Sequence, residues 1–190
     1  GFHAANWTVA GGYGDGTLST LAKIAERYSL IEQHPDTLLL VERPADIERA
    51  KREGKLGVIL GFQGIETLEG RFHLLAVYHK LGVRVVGLTY NNRNLVGSGC
   101  LEPDDGRMTR FGLEVVREMN RLGILVDLTH VGNRTSLDAA SMSSAPVVFS
   151  HSNAKAVRDN PRNLTDEQIK ACAATGGVVG IATFADFVGD

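Results

Sequence analysis

"GILVDLTHVG" (residues 123–132) and "APVVFSHSN" (residues 145–153) decide how this chain is read. Each is an apolar run too short for a long helix, and each stops at a histidine: His130 in the first, His151 in the second. The runs are rich in Val, Ile and Leu and do not alternate with polar residues. Such runs suit strands buried on both faces, and therefore a parallel sheet.

Outward from these two segments the same local pattern recurs. An amphipathic polar stretch ends in Gly and an apolar run follows at once. "FHLLAVYHKLG" precedes "VRVVGLTY", "RFGLEVVREMNRLG" precedes "ILVDLTH", and "TDEQIKACAATGG" precedes "VVGIATF". "PADIERAKREGK" before "LGVILGFQG" is a looser case. The polar stretches have helical period: Phe111, Val115, Met119 and Leu122 fall on one face. Thr165 with Gln168 reads as a capping box, and Gly82, Gly123 and Gly176 suit the left-handed residue that ends a helix. Repeated helix–Gly–strand units define the α/β class. Strands are predicted near 4–9, 57–62, 83–90, 124–130, 146–151 and 178–184, with 38–41 a weaker candidate. Helices are predicted near 17–33, 44–53, 71–81, 109–122, 134–142 and 165–175. No linker or low-complexity segment divides the chain, so residues 1–190 read as a single domain. Residues 91–108 form the one long irregular stretch, and a loop of that length is usually functional.

In parallel α/β sheets and barrels, chemistry collects at the C-terminal ends of the strands. Here those ends read Gln63, Tyr90, His130 and His151. Alternation puts Val126, Leu128 and His130 on one face, and Val147, Phe149 and His151 on one face. If that face lines a barrel, apolar layers fill it and two imidazoles cap it. Two such histidines suit a shared metal ion; imidazole favours zinc and its neighbours, and a third ligand must come from elsewhere. His34-Pro35-Asp36 has H-x-D spacing but sits in a Pro-containing turn after a helix, so it reads as unrelated to metal. His73 and His79 lie on a predicted helix, exposed or interfacial. Asp127, opposite in parity to His130, is expected to face the helix layer in a structural role. Arg162 is the candidate clamp for a substrate carboxylate, with Arg158 competing. The "VGSG" of the long loop is a weak candidate anion cradle.

Composition narrows the classes further. The chain has 190 residues, 43% hydrophobic, with 20 Lys and Arg against 22 Asp and Glu. That balance gives no basic stripe for nucleic acid and no charged tail for a membrane surface. No apolar run is long enough to span a bilayer. The two cysteines, Cys100 and Cys172, read as free thiols in a reducing compartment, with a single disulfide the alternative, so a cytoplasmic location is expected. The sequence begins with Gly almost inside an apolar stretch, which suggests a piece of a longer chain. Oligomeric state is left open, a homo-oligomer included.

Together, "GFQGIETLEG", "LGVRVVGLTYNNRN", "TRFGLEVVREMNRLGILVDLTHVG", "APVVFSHSNAKAV" and "PRNLTDEQIKACAATGGVVGI" resemble the membrane dipeptidase (renal dipeptidase) family of zinc peptidases in the amidohydrolase superfamily. The resemblance implies a (β/α)8 TIM-type barrel, here incomplete at both ends, with a binuclear zinc site at the strand ends. By resemblance, His130 and His151 match two histidines on one zinc, and Arg162 matches the arginine that grips the substrate's terminal carboxylate. Tyr90 stands where many members have a histidine that polarises the scissile carbonyl. Gln63 stands where many have a metal-bridging glutamate, as in bacterial members with Gln at that position. The family's H-x-D pair would precede Gly1, and its catalytic aspartate would follow Asp190. The implied activity is metal-dependent cleavage of dipeptides or similar small carboxylated amides. The alternative is a degenerate barrel that binds a small carboxylated ligand without hydrolysing it.

Overall fold

The structure, a computed structural model, describes residues 2–12 and 14–188; Gly1, Tyr13, Gly189 and Asp190 lie outside the described residues. Strands and helices alternate along the chain: β1 (Ala4–Ala10), α1 (Thr17–Gln33), β2 (Leu38–Leu40), α2 (Pro44–Glu53), β3 (Leu56–Phe62), a 3-10 turn (Glu66–Leu68), α3 (Leu74–Lys80), β4 (Val83–Gly87), α4 (Arg110–Leu122), β5 (Leu125–Asp127), α5 (Asn133–Met142), β6 (Val147–Phe149), α6 (Asp166–Ala174), β7 (Val178–Val179) and α7 (Ala185–Val188). The strands form one sheet in the order β1-β3-β4-β5-β6-β7, with β2 paired to β3. Every pairing is parallel. All strand C-termini therefore lie along one rim, and consecutive strands from β3 onward are joined by helical crossovers, as in a β/α barrel.

The helices form for local reasons. On α4 the residues Val115, Val116 and Met119 are buried, so one stripe meets the sheet while the opposite face carries charge. Thr109 accepts a hydrogen bond from Gly112 N at 3.0 Å and caps its first turn. At its other end Gly123 takes φ 74°, a left-handed conformation that favours Gly. On α6 the expected capping box is present: Thr165 Oγ1 accepts from Gln168 N at 3.3 Å, and Gln168 Oε1 accepts from Thr165 N at 2.9 Å.

The strands differ from expectation at their C-terminal ends. β4, β5 and β6 stop at Gly87, Asp127 and Phe149, not at Tyr90, His130 and His151. β7 is two residues long; residues 180–184, where the strand was expected to continue, are irregular, and α7 begins after them at Ala185. The ladder stops once the backbone groups find other partners. Thr129 N donates to the Asp127 carboxylate at 2.9 Å, and Ser150 N donates to it at 3.1 Å. The polar residues thus sit on turns just above the sheet rim, where alternation no longer governs their direction.

The long stretch 91–108 is tied down along its length. Asn94 Nδ2 donates to Leu88 O at 2.9 Å, Ser98 N to Thr135 Oγ1 at 3.0 Å, and Cys100 N to His130 O at 2.8 Å. The "VGSG" segment is buried in this network; Ser98 N is spent on Thr135, so the segment is a structural strap and not an open anion cradle. His34-Pro35-Asp36 lies at the start of β2, on the opposite edge of the sheet from the site rim, and is exposed. Among the described residues, no helix is long and apolar enough to cross a membrane.

Val126, Leu128, Val147 and Phe149 are buried in the main core cluster beneath the two histidines. Burial of each such side chain contributes about 1.5–3 kcal/mol. Phe149→Ala is expected to cost about 3–5 kcal/mol, because it removes the ring beneath His151 and leaves a cavity. Urea unfolding monitored by circular dichroism checks this; a loss under about 1 kcal/mol would show that the strand end is not anchored by this ring.

Candidate functional site

His130 follows β5 with φ 70°, one of two non-glycine residues with positive φ among the described residues. That conformation costs about 1–3 kcal/mol and is held by its surroundings. The His130 carbonyl accepts from Cys100 N at 2.8 Å and from Thr89 Oγ1 at 3.4 Å. The left-handed turn, rather than strand alternation, sets the direction of the His130 ring. His151 stands two residues past the end of β6, and its N–H donates to Thr129 Oγ1 at 3.3 Å.

The two imidazoles meet. His130 Nε2 lies 3.1 Å from His151 Nε2. Their Nδ1 atoms are each engaged on the far side. His130 Nδ1 is 2.7 Å from Asn91 Oδ1, and His151 Nδ1 is 2.8 Å from Ser150 Oγ. An amide oxygen only accepts, so His130 Nδ1 carries the proton and its Nε2 presents a lone pair. Two nitrogens bound at about 2.0–2.1 Å to one tetrahedral ion lie about 3.3 Å apart. The observed spacing is close to that, so the pair fits one shared transition-metal ion once the Arg162 guanidinium, which rests on His130 Nε2, draws back.

Arg162 comes in from the loop before α6. It is 8% exposed, and its Nη2 donates to His130 Nε2 at 3.2 Å. Its guanidinium lies over the Phe187 ring at 5.1 Å, and its buried Nη1 has no hydrogen-bond partner among the described residues. Tyr90 stacks on His130, with ring centroids 4.2 Å apart and planes 26° apart. Gln63 follows β3, its N–H donating to Ala10 O at 2.7 Å. It is hemmed in by Gly11 and Gly87: a Cβ on Gly11 would lie 2.6 Å from Gln63 Cβ, and one on Gly87 3.0 Å from the Gln63 carbonyl carbon.

One open cavity of about 650 Å³ is lined by Gln63, Tyr90, His130, His151 and Arg162 together, with Leu101, Ile181 and Phe184 on its apolar wall. All five residues singled out in the sequence are therefore neighbours. Arg158, the competing arginine, is exposed and does not line this cavity. His73 is exposed and His79 half-buried, both on α3 or its cap. Among the described residues, no group of three His, Cys, Asp or Glu side chains converges as a metal site. Two imidazoles are therefore the nitrogen donors that meet at this cavity, and Gln63 lines it as well.

Sequence reasoning passed over Asn91, Ser150, Thr129 and Phe187. The first three are polar residues immediately beside Tyr90, His151 and His130, and that adjacency was their signal. Phe187 lies on α7, an element the pattern did not predict. Asp127, expected in a structural role, is buried and does not line the cavity; its carboxylate accepts from Thr129 N, Ser150 N and Ser150 Oγ. The two-residue turn after each strand curls the chain back over the strand end and brings backbone N–H groups to that carboxylate.

Both histidines are held neutral. Burial, then the Arg162 cation, then His151 bring His130 down to about 3. Burial lowers His151 as well; Asp127 opposes the shift and Arg162 adds to it.

The family model for membrane dipeptidases, peptidase family M19, matches residues 1–190. The chain belongs to the membrane dipeptidase family. An uncharacterised dipeptidase of Schizosaccharomyces pombe is 34% identical over 175 residues, 89% of this chain and 42% of that relative. An amidohydrolase of Pseudomonas aeruginosa superposes with a TM-score of 0.93 at 41% identity, covering 97% of this chain and 56% of that one. A metallo peptidase of Rhodobacter sphaeroides, solved with a phosphinate mimic of the dipeptide L-Ala-D-Ala, gives a TM-score of 0.82 at 29% identity, covering 87% of this chain and 49% of that one. The chain thus spans about half the length of these family relatives. Its parallel sheet and helical crossovers are those of the TIM-type barrel.

A pH dependence follows from the neutral imidazoles. In the unfolded chain His130 takes up a proton near its ordinary value of about 6.5; in the folded chain it does so only near 3. Between these limits the unfolded state binds more protons, so His130 makes stability rise with pH and fall as pH drops below about 6.5. In metal-free protein, denaturant midpoints at pH about 7 and about 5 are expected to differ less in His130→Asn than in wild type, since Asn tolerates the left-handed backbone. An equal drop in the variant would show that His130 is not the group held neutral.

Proposed function

We propose that this protein is a zinc-dependent hydrolase that cleaves the amide bond of dipeptides or similar small carboxylated amides. The observation that carries this reading is the pair of imidazole Nε2 atoms 3.1 Å apart in one cavity with a buried arginine whose Nη1 is unpaired. Membership of the dipeptidase family supports it, as does the dipeptide mimic bound by the Rhodobacter metallo peptidase.

His130 and His151 would hold the zinc, with Gln63 a neutral amide lining the same cavity. When bound, zinc lowers the pKa of water from about 15.7 toward about 7 and polarises a carbonyl. The residues of the chain do the rest. Arg162 offers a planar fork to the substrate's terminal carboxylate, and its buried Nη1 has no partner among the described residues to hold the fork in place. Phe187 behind the guanidinium limits its freedom to turn away. Tyr90 presents a phenolic O–H to the oxygen on which charge develops in the transition state, the role the family gives to a histidine. The exposed apolar side chains of Leu101, Ile181 and Phe184 offer a surface for a substrate side chain.

A second reading is favoured by one observation: the described residues offer two imidazoles and an amide, with no carboxylate completing a metal site. The protein would then bind a small carboxylate on Arg162 without turnover. Zinc content and turnover separate the two. Stoichiometric zinc after purification without chelators, with hydrolysis of a dipeptide panel, is expected for the hydrolase. Carboxylate binding to zinc-free protein, with no turnover on zinc addition, identifies the binder.

His130→Ala is expected to abolish both zinc retention and turnover; undiminished activity in that variant ends the metal reading. Arg162→Met is expected to lower kcat/KM about 10- to 100-fold for substrates with a free carboxylate, the value of one or two charge-assisted hydrogen bonds. Amidated substrates should lose much less; an equal loss on both classes would assign Arg162 to architecture and not to the carboxylate.

A further inference from the structure

The tautomer of His151 is set by a chain of hydrogen bonds that runs out of the cavity. Asp127 is 2% exposed. Its carboxylate accepts from Thr129 N at 2.9 Å, from Ser150 N at 3.1 Å and from Ser150 Oγ. An ionised carboxylate only accepts, so the Ser150 hydroxyl proton points at Asp127. The same Oγ, 2.8 Å from His151 Nδ1, can then only accept from that nitrogen. Its other lone pair faces Thr129 Oγ1 at 3.3 Å, and Thr129 Oγ1 in turn accepts from His151 N at 3.3 Å. With the Ser150 proton on Asp127, His151 carries its proton on Nδ1 and bares Nε2 toward His130; the 3.1 Å contact between the two Nε2 atoms then holds no proton of its own.

We propose that Ser150 is a positioning residue: its hydroxyl, oriented by buried Asp127, fixes His151 in the Nδ1–H tautomer and aims the Nε2 lone pair at the point shared with His130. On His130 the same end is reached differently, through the amide oxygen of Asn91. Two unlike devices thus produce one result, a pair of converging lone pairs made before any ion arrives. Asp127 contributes its charge through one hydroxyl, so it strengthens His151 as a donor without occupying a coordination position. Removing an outer partner of a metal-bound histidine typically costs 10- to 100-fold in metal affinity. The affinity consequence rests on the zinc reading given above; the tautomer is a property of the metal-free protein and does not.

The test uses the full chain, metal-free and labelled with 15N in its histidines. Nitrogen shifts of the imidazoles are expected to show Nδ1–H and bare Nε2 for both His130 and His151. Ser150→Ala keeps the Ser150 backbone N–H on Asp127, so the turn stays closed. In that variant His151 is expected to shift toward the Nε2–H form while His130 is unchanged. Zinc affinity, from competition with a chromophoric chelator, is expected to fall about 10-fold. Ser150→Thr, which keeps the hydroxyl, is expected to restore both. A wild-type His151 found as the Nε2–H tautomer overturns the proposal without any variant. So does a Ser150→Ala protein whose His151 shifts and zinc affinity both match wild type. If wild type itself binds no zinc, the metal reading fails, and the nitrogen shifts alone still decide the role of Ser150.

Discussion

Two imidazole nitrogens, each with its proton committed to the far side of its ring, face one another across 3.1 Å. Such lone pairs repel unless something positive stands between or beside them. In this structure the Arg162 guanidinium performs that service, donating to His130 at 3.2 Å. The rest of the site follows from this constraint. Burial makes protonation of either ring costly, Asn91 and Ser150 hold the Nδ1 protons, and the cavity opens where a cation or a polarised ligand would be received.

The fold creates the constraint by stopping its strands early. A parallel ladder between β5 and β6 pairs Val126 with Val147 and Asp127 with Val148, and then ends. Beyond it, Asp127 takes over the role of the missing partner strand and collects the backbone N–H groups of Thr129 and Ser150. Each turn then places its histidine over the buried apolar layer of Leu128 and Phe149. The left-handed backbone at His130 is the strained element of the arrangement. The strap at residues 91–108 holds it, through the bond from Cys100 N to the His130 carbonyl. A long loop that looked like a ligand-binding segment is thus the clamp that fixes a site residue.

Most of the fold was legible in the sequence because α2, α3, α4 and α6 each reach a Gly within two residues of their ends and are soon followed by Val-, Ile- and Leu-rich residues. Those two signals are local, and they placed α4, α6 and the starts of the strands within a residue or two. Strand ends were not legible, because a ladder ends where its partner's hydrogen bonds end, and that is not written in either strand alone. The histidines were found through an argument from alternation that does not extend to them: β5 ends at Asp127, and His130 owes its direction to a positive φ that is rare outside glycine. Arg162 and Arg158 were indistinguishable by spacing. What separates them is a tight turn in which Asn160 Oδ1 accepts from Arg162 N at 2.9 Å and Asn160 O accepts from Asn163 N at 2.9 Å, turning Arg162 inward and leaving Arg158 in solvent.

The charge balance of the cavity links its two proposed occupants. Its lining holds a guanidinium, two neutral imidazoles, two amides, a phenol and a hydroxyl, and none of its lining residues is acidic. The nearest carboxylate, Asp127, stands one hydroxyl behind His151 and does not line the cavity. A cation placed between the imidazoles would therefore add to the positive field of Arg162, and a substrate carboxylate on Arg162 would offset it. Each occupant lowers the electrostatic cost of the other, and linkage requires the coupling to be reciprocal. Gln63 accentuates this, because a glutamate there would neutralise the cation without any substrate. With an amide in that place, Gln63 itself brings no negative charge to offset a cation held by the two imidazoles.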